Sequence, residues 1–146
     1  MDDGLDVLVQ EEAADATLID RIAQGLELTR PNDVAGYEPR ALTIRLQAKG
    51  NGAIIGALVG QSVWDWLYVN LLWVDQTLQG QGLGSRLMQA AEREAARRGC
   101  MGIWVSTYSF QAPDFYKKLG YSSFGRIDDF PRGHGRHFFQ KRLDRT

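Results

Sequence analysis

The chain has 146 residues, of which 44% are hydrophobic and 24% charged, and its formal net charge is −1. This length predicts one domain with a hydrophobic core, and the near-zero charge gives no support for a nucleic-acid or membrane partner. The single cysteine excludes an internal disulfide, and the sequence shows neither a signal peptide nor an apolar run of the ~20 residues that a membrane span needs, so we expect a cytoplasmic protein.

The first half of the chain alternates strand and helix patterns. Residues 6–10 predict a short first strand, and residues 14–29 predict an amphipathic helix because their apolar residues recur at helical spacing. Every second residue is apolar in 41–48, and a KGNG turn leads into 53–60, so these two segments predict a hairpin. Residues 66–74 are nearly all apolar, which indicates a strand buried on both faces in mid-sheet.

The second half begins with a glycine-rich turn. Residues 83–98 then carry an apolar stripe and predict a helix that Gly99 ends. The apolar segment 101–106 follows, so strand, helix and strand form a βαβ unit whose two strands should be parallel. Residues 112–119 predict a short helix with Pro113 in its first turn. The segments YSSFG and HFFQKRL predict two closing strands.

Three glycines, Gly80, Gly82 and Gly84, occupy alternate positions where a strand gives way to a helix. Glycine is a poor helix former, but it lets the backbone approach a ligand, and the free N–H groups of a helix start favour an anion. The pattern therefore predicts a pyrophosphate cradle. No Gly-Lys-Ser/Thr follows, as a P-loop requires, and a dinucleotide fingerprint would need glycine in place of Ser85. A tight turn that binds nothing is the alternative.

Two segments resemble motifs of the GNAT superfamily of N-acetyltransferases. Residues 74–87 are similar to its acyl-CoA signature, Arg/Gln-x-x-Gly-x-Gly/Ala, which is matched by Gln79, Gly82 and Gly84. Residues 109–121 are similar to the family's Asn-x-x-Ala-x-x-Phe-Tyr-x-x-x-Gly-Phe/Tyr segment. The two motifs cover roughly the second half of the chain, and the elements before them occur in the order that the family shows.

The resemblance implies one N-acetyltransferase domain over residues 1–146. Its fold would be of the mixed α/β class, with a mostly antiparallel central sheet, one parallel strand pair and flanking helices. It also implies acetyl-CoA as co-substrate, an amine acceptor, and the possibility of a homodimer, which a monomeric mass in solution would contradict. No metal is expected, because no His, Cys or Asp cluster has the spacing of metal ligands. The activity so implied is transfer of an acetyl group to a primary amine of a small molecule or peptide by direct attack. A non-catalytic acyl-CoA-binding or interaction module is the alternative.

The resemblance also implies a set of residues that bind the cofactor. A strand that separates from its neighbour would offer backbone groups, with the N–H of Leu72 directed at the thioester oxygen. Ser109 stands where the family often has asparagine and Gln79 where arginine is frequent, so the cradle would depend more on backbone N–H groups than on charge. The implied set is Leu72, Trp73, Val74, Gln79, Gly80, Gln81, Gly82, Leu83, Gly84, Ser85, Ser109, Phe115 and Lys118.

Tyr116 matches the tyrosine of the family's second motif, which implies that it is the general acid that protonates the departing thiolate. A core tyrosine beside Phe115 is the alternative. A lysine-type amine with a pKa of about 10.4 must lose a proton before it attacks, so the reaction also needs a base or water. The candidate bases are Asp75, Asp128, Asp129 and His134.

The acceptor site stays open at this point. Aromatic residues near the expected thioester would suit a cationic amine if Asp65 or Asp129 lay beside them, and a place in the core is the alternative for at least half of these rings. The aromatic candidates are Trp64, Trp66, Tyr68, Tyr108, Phe110 and Phe130. A nucleotide-dependent oxidoreductase is disfavoured because the chain lacks a second βαβ half.

Overall fold

A computed structural model describes residues 3–144 of the chain and divides it into two compact units, one ending at Gly36 and one beginning at Tyr37. The helices are α1 (Ala16–Glu27), α2 (Leu83–Arg97) and α3 (Pro113–Lys118), with a short 3-10 helix at Gln76–Leu78. The strands are β1 (Arg40–Gln47), β2 (Ile54–Val63), β3 (Trp66–Val74), β4 (Gly102–Tyr108), β5 (Ser122–Asp128) and β6 (Gly135–Arg142). Within the described range, no helix is long and apolar enough to cross a membrane.

The first unit contains α1, whose beginning is fixed by Asp15. The carboxylate of this residue accepts the N–H of Leu18 at 2.8 Å, which satisfies one of the free donors at a helix start. The predicted helix is therefore confirmed over Ala16–Glu27. The predicted first strand over residues 6–10 is wrong, because this segment forms no strand and Val7 is 90% exposed. A short apolar segment forms a strand only where another strand supplies hydrogen bonds and a face against which it can be buried.

The second unit is built on a six-stranded sheet in the order β1-β2-β3-β4-β6-β5. Neighbouring strands are antiparallel except β3 and β4, which are parallel and connected through α2. The predicted hairpin, the predicted βαβ unit and the predicted mixed sheet with one parallel pair are thus confirmed. This order places the two parallel strands in the middle of the sheet, next to the helix that connects them.

One face of the sheet, which we call the α2 face, holds the hydrophobic core. Here α2 packs against β1, β2, β3 and β4, and its buried stripe shares one core cluster with the fully buried side chains of Leu67, Ile103 and Phe139 on β3, β4 and β6. Burying one side chain of this size stabilises the fold by about 1.5–3 kcal/mol. Residues that alternate with these three point to the opposite face, which we call the far face. The buried stripe of α2 consists of Leu87, Met88, Ala91 and Ala95.

The middle strand β3 is buried over only part of its length. Leu67 and Val69 are buried as predicted, whereas Leu71 is 63% and Trp73 is 51% exposed, so the prediction of burial on both faces is wrong for the second half of the strand. The reason is that β4 pairs with β3 only as far as Val69 and Val105. Beyond that point β3 has a neighbour on one side alone.

Candidate active site

A gap opens in the sheet where β3 and β4 separate. Their pairing ends at Val69 and Val105, although β3 continues to Val74 and β4 continues to Tyr108. On its other edge β3 remains paired with β2, but the register shifts so that Asn70 is left over as a bulge. A bulge bends its strand and increases the local twist, which turns the second half of β3 away from β4.

Backbone N–H groups of β3 face this gap. The N–H of Asp75 donates to the carbonyl oxygen of Ile55 at 2.8 Å, so it points towards β2. Because N–H directions alternate along a strand, the N–H of Trp73 points the same way, and those of Leu72 and Val74 point to the edge that β4 has left. The strand therefore presents the N–H groups of Leu72 and Val74 to a ligand in the gap, whereas the N–H of Trp73, which the resemblance also implies, is directed at β2.

The gap forms a cleft of about 550 Å³, which we call the β3–β4 cleft. Five residues of the implied cofactor set line it together with the expected general acid, namely Leu72, Trp73, Val74, Gln79, Phe115 and Tyr116. It is also lined by Asn70, Ser106, Gln111 and Arg136, which the sequence did not identify as site residues. Their place depends on where the two strands separate and on the register between β4 and β6, and neither is encoded in a local pattern.

The glycine-rich turn leads into α2 with its backbone uncovered. Gly80 and Gly82 have φ angles of +85° and +74°, and a Cβ built at either position meets no atom within 4 Å. Gly82 is the N-cap and offers no side-chain hydrogen bond, so the first N–H groups of α2 and the positive end of its dipole are available to an anion. A Cβ at Gly84 would instead lie 3.2 Å from the ring of Phe115, so this glycine allows α2 to pack closely against α3.

The remaining residues of the implied cofactor set lie around the turn or outside the cleft. Gln81 is exposed, while Leu83 and Ser85 in the first turn of α2 are half-buried. Lys118 is exposed at the end of α3. The hydroxyl of Ser109 accepts the N–H of Gly135 at 3.0 Å, which ties the end of β4 to the start of β6. Neither Lys118 nor Ser109 is among the described residues that line the cleft.

Tyr116 lies on α3 in the wall of the cleft and is only 5% exposed. Its ring packs against Tyr121 and Phe139 with centroids 5.9 Å away in each case, so it is also part of the core. Burial disfavours the phenolate and raises the pKa of its hydroxyl to about 12. At neutral pH this group is therefore a proton donor and not a base.

The candidate bases do not converge on the cleft. Asp75 accepts hydrogen bonds from the hydroxyl and the N–H of Thr77 at 2.6 and 2.9 Å, and these bonds lower the pKa of its carboxyl and make it a weaker base. Asp128, Asp129 and His134 lie at the end of β5 and in the turn that follows it. None of the four is among the described residues that line the cleft. Within residues 3–144, no three His, Cys, Asp or Glu side chains form a group that could hold a metal ion.

The aromatic residues expected around the acceptor are divided between several places. Tyr108 and Phe110 line the cleft and stack on each other with centroids 5.4 Å apart. Trp64 packs edge-on against Tyr37, and Tyr68 stacks on Trp104. Neither Trp64 nor Tyr68 is among the described residues that line the cleft. Trp66 and Phe130 contact arginine side chains. Of the two carboxylates expected beside these rings, Asp65 and Asp129, the described lining of the cleft includes neither.

Among the described residues that line the cleft, Arg136 is the one with a charged side chain. It stands opposite Tyr108 in the β4–β6 register. Its Nε and Nη2 atoms donate to the hydroxyl oxygen of Ser106 at 2.9 and 2.7 Å. Its guanidinium carbon lies 5.7, 5.3 and 5.1 Å from the ring centroids of Tyr108, Phe130 and Phe138. A hydroxyl and three rings thus hold this cation at the open end of β4.

Several known proteins with a similar sequence or fold are acetyltransferases. The sequence profile of the Acetyltransferase (GNAT) family matches residues 10–121. A blasticidin-S acetyltransferase of Streptomyces morookaense is 39% identical over 128 residues, which are 87% of this chain and 94% of that protein. The crystal structure of an acetyltransferase from Bacillus cereus ATCC 14579 is similar with a TM-score of 0.80 and 31% identity, covering 92% of this chain and 98% of that one.

A further structure, of an acetyltransferase from Bacillus anthracis, was solved in complex with acetyl coenzyme A. It is similar to this chain with a TM-score of 0.64 and 22% identity, covering 73% of this chain and 65% of that one. At this level of identity the likeness shows a shared fold.

Proposed function

The chain belongs to the GNAT family of acetyltransferases, and from this premise we propose that it transfers the acetyl group of acetyl-CoA to a primary amine of a small molecule or peptide. The observation that carries the proposal is the β3–β4 cleft. It joins the free N–H edge of β3 to a wall that contains Tyr116, close to the glycine-rich start of α2. A cradle alone would serve a binding module equally well, but a buried proton donor beside it favours catalysis.

The residues present fit the shape and charge of acetyl-CoA. We assign the phosphates to the backbone N–H groups around Gly82, where no side chain fills the approach. We assign the pantetheine arm to the N–H edge of β3, and Gln79 lies between these two regions in the chain and lines the cleft. When bound, acetyl-CoA supplies an acetyl group activated as a thioester and leaves as the thiol.

The proposed reaction uses two groups that line the cleft, the N–H of Leu72 and the hydroxyl of Tyr116. The neutral amine attacks the carbonyl carbon, so a C–N bond forms and the C–S bond breaks. The N–H of Leu72 donates to the carbonyl oxygen as negative charge develops on it, a contribution of roughly 3–4 kcal/mol per donor on other scaffolds. The hydroxyl of Tyr116 gives its proton to the departing thiolate, and the amine releases its own proton to solvent, which later restores the tyrosine.

We expect the rate to keep rising with pH up to at least pH 9.5. The amine must be neutral to attack. For a lysine-type amine with a pKa of about 10.4, the neutral fraction rises about tenfold with each pH unit until the pH approaches that pKa. The raised pKa of Tyr116, about 12, keeps its acid form populated over the same range, since that form is lost only near pH 12. Measuring kcat/KM from pH 6 to 10 checks this, with thioester hydrolysis in the absence of enzyme subtracted. A falling limb centred between pH 8 and 9 would contradict Tyr116 as the proton donor.

The test of the proposed function is a free-thiol release assay with acetyl-CoA over a panel of amines. The panel contains polyamines, aminoglycosides, amino acids and lysine peptides, together with blasticidin S because a relative of this chain is named for it. We expect thiol release that depends on at least one acceptor, with the acetylated amine identified by mass spectrometry. Acetyl-CoA binding without release for any acceptor would favour the non-catalytic acyl-CoA-binding module.

A further inference from the structure

The side chains that the structure describes around the β3–β4 cleft bring only positive charge to it. Of the 17 described residues that line it, Arg136 is the only one with a charged side chain, and none is acidic. A ligand seated in the cleft therefore meets one positive group and no negative one. An amine acceptor that carries only positive charge would find no counter-ion in this lining.

The charge of Arg136 is not neutralised by the protein. Its partner for hydrogen bonding is the neutral hydroxyl of Ser106, and among residues 3–144 no carboxylate forms an ion pair with it. A guanidinium has five N–H donors, of which Ser106 engages two, so three donors remain for a ligand. The rings of Tyr108, Phe130 and Phe138 restrict the side chain, and a restricted side chain loses less entropy when it binds.

The position of Arg136 separates it from the predicted phosphate cradle. Phe139 points to the α2 face and is fully buried there, so Arg136, three positions before it on β6, points to the far face. The glycine-rich turn begins α2, and Tyr116 packs with Phe139, so both belong to the α2 face. Arg136 therefore lies on the face of the sheet opposite the predicted phosphate cradle, and an acceptor that enters the cleft from this face meets its side chain.

The same contacts disfavour a cationic head group at this end of the cleft. An aromatic face attracts a cation, but the rings of Tyr108 and Phe130 already have the guanidinium of Arg136 above them. A second positive charge placed there would be repelled by the first. A carboxylate would instead accept two parallel hydrogen bonds from the free donors of the guanidinium, which is the strong form of this interaction.

We propose that the acceptor is an amine that also carries a carboxylate, and that Arg136 binds this carboxylate and so determines specificity. The inference rests on the proposed acetyltransferase function and extends it to a substrate class, that of amino-acid-like amines. Arg136 is a specificity residue in this proposal and takes no part in proton transfer.

The test compares acceptors in matched pairs that differ only in the carboxylate: lysine with cadaverine, arginine with agmatine, and tyrosine with tyramine. We expect the wild-type protein to have the higher kcat/KM for at least one carboxylate-bearing member. Arg136→Gln should lower kcat/KM for that acid about tenfold or more, the scale expected when hydrogen bonds to a charged group are lost, and change it less than twofold for its partner. For each pair, we divide the change in kcat/KM that Arg136→Gln causes for the acid by the change that it causes for the amine without the carboxylate. Differences in amine pKa between the two members cancel in this ratio.

A matched control exists on the same strand. Arg142 also points to the far face of β6 and also lies over an aromatic ring, that of Trp66, but it is not among the described residues that line the cleft. Arg142→Gln should leave the preference within each pair unchanged. Arg136→Lys keeps the charge without the planar fork, so it should restore part of the preference that Arg136→Gln loses.

Several outcomes would overturn the inference. If Arg136→Gln lowers kcat/KM equally for both members of a pair, Arg136 supports the β4–β6 edge and does not bind the carboxylate. A wild-type preference for the decarboxylated amines would exclude the carboxylate contact. If no amine is acetylated at all, the proposed function fails. In that case binding of the N-acetylated pairs to the protein with CoA, measured by calorimetry, tests the carboxylate contact separately, and equal affinities for the two members would overturn it.

Discussion

We expect Gly82→Asp to abolish the stabilisation that acetyl-CoA should give the wild-type protein. A ligand at one hundred times its dissociation constant stabilises the folded state by about 2.7 kcal/mol, so the wild type should show a clear thermal shift. The substitution places a side chain and a negative charge where we assign the phosphates, at an N-cap with open space around it. Because like charges repel and the approach to the N–H groups is blocked, the shift should disappear. Differential scanning fluorimetry with and without acetyl-CoA measures it.

Two control variants separate the causes of this loss. Gly99 follows the opposite end of α2 with a φ of +79° and the same open surroundings as Gly82, whose φ is +74°. Gly99→Asp therefore introduces the same backbone strain and charge away from the cradle, and it should lower the melting temperature while leaving the shift intact. Gly82→Asn adds a side chain of similar size without charge, so it should keep part of the shift. Equal shifts for Gly82→Asp and the wild type would exclude the cradle.

Local periodicity in the sequence predicts the helices well, because a helix forms without hydrogen bonds from another element. The apolar stripe of α2 and the terminating Gly99 were read correctly, because a helix satisfies its own hydrogen bonds and its buried face follows a period of 3.6 residues. Strands depend on distant partners. The apolar residues within 6–10 predict a strand that finds no partner in the structure, and the apolar run that ends at Val74 predicts burial along its whole length, although its second half borders the cleft.

The residues of the candidate site also fall into two groups, those that a local motif predicts and those that depend on tertiary structure. Gln79 and Tyr116 are predicted from the sequence because each stands at a fixed position in its own short motif. The structure brings both residues into the lining of the cleft. Arg136 follows from no local pattern, because its place in the cleft depends on pairing with Tyr108, which lies 28 residues before it in the sequence. Ser109 was included from the motif, yet its hydroxyl is used to join the strand ends. Charge in a cleft is a property of tertiary structure.

Tyr116→Phe should lower kcat on the order of 100-fold, with little change in the affinity for acetyl-CoA. The substitution removes one oxygen and keeps the ring that packs against Phe139, so the fold and the cradle are retained. What is lost is the proton for the thiolate, and one acid–base group typically contributes 10²–10⁴-fold. Steady-state kinetics with acetyl-CoA varied at saturating acceptor separates kcat from KM, and the thermal shift with acetyl-CoA reports binding independently.

Tyr121 supplies the matched control for this experiment. It is 4% exposed and its ring packs against that of Tyr116, but its hydroxyl donates to Glu92 at 3.3 Å and it is not among the described residues that line the cleft. Tyr121→Phe removes the same atom from the same core, so it should cost some stability, about 1 kcal/mol for a lost hydrogen bond, and leave kcat unchanged. Similar losses of kcat in both variants would assign the effect to packing. Weaker acetyl-CoA binding with normal kcat in Tyr116→Phe would make Tyr116 a binding residue, and no change in either quantity would mean that water protonates the thiolate.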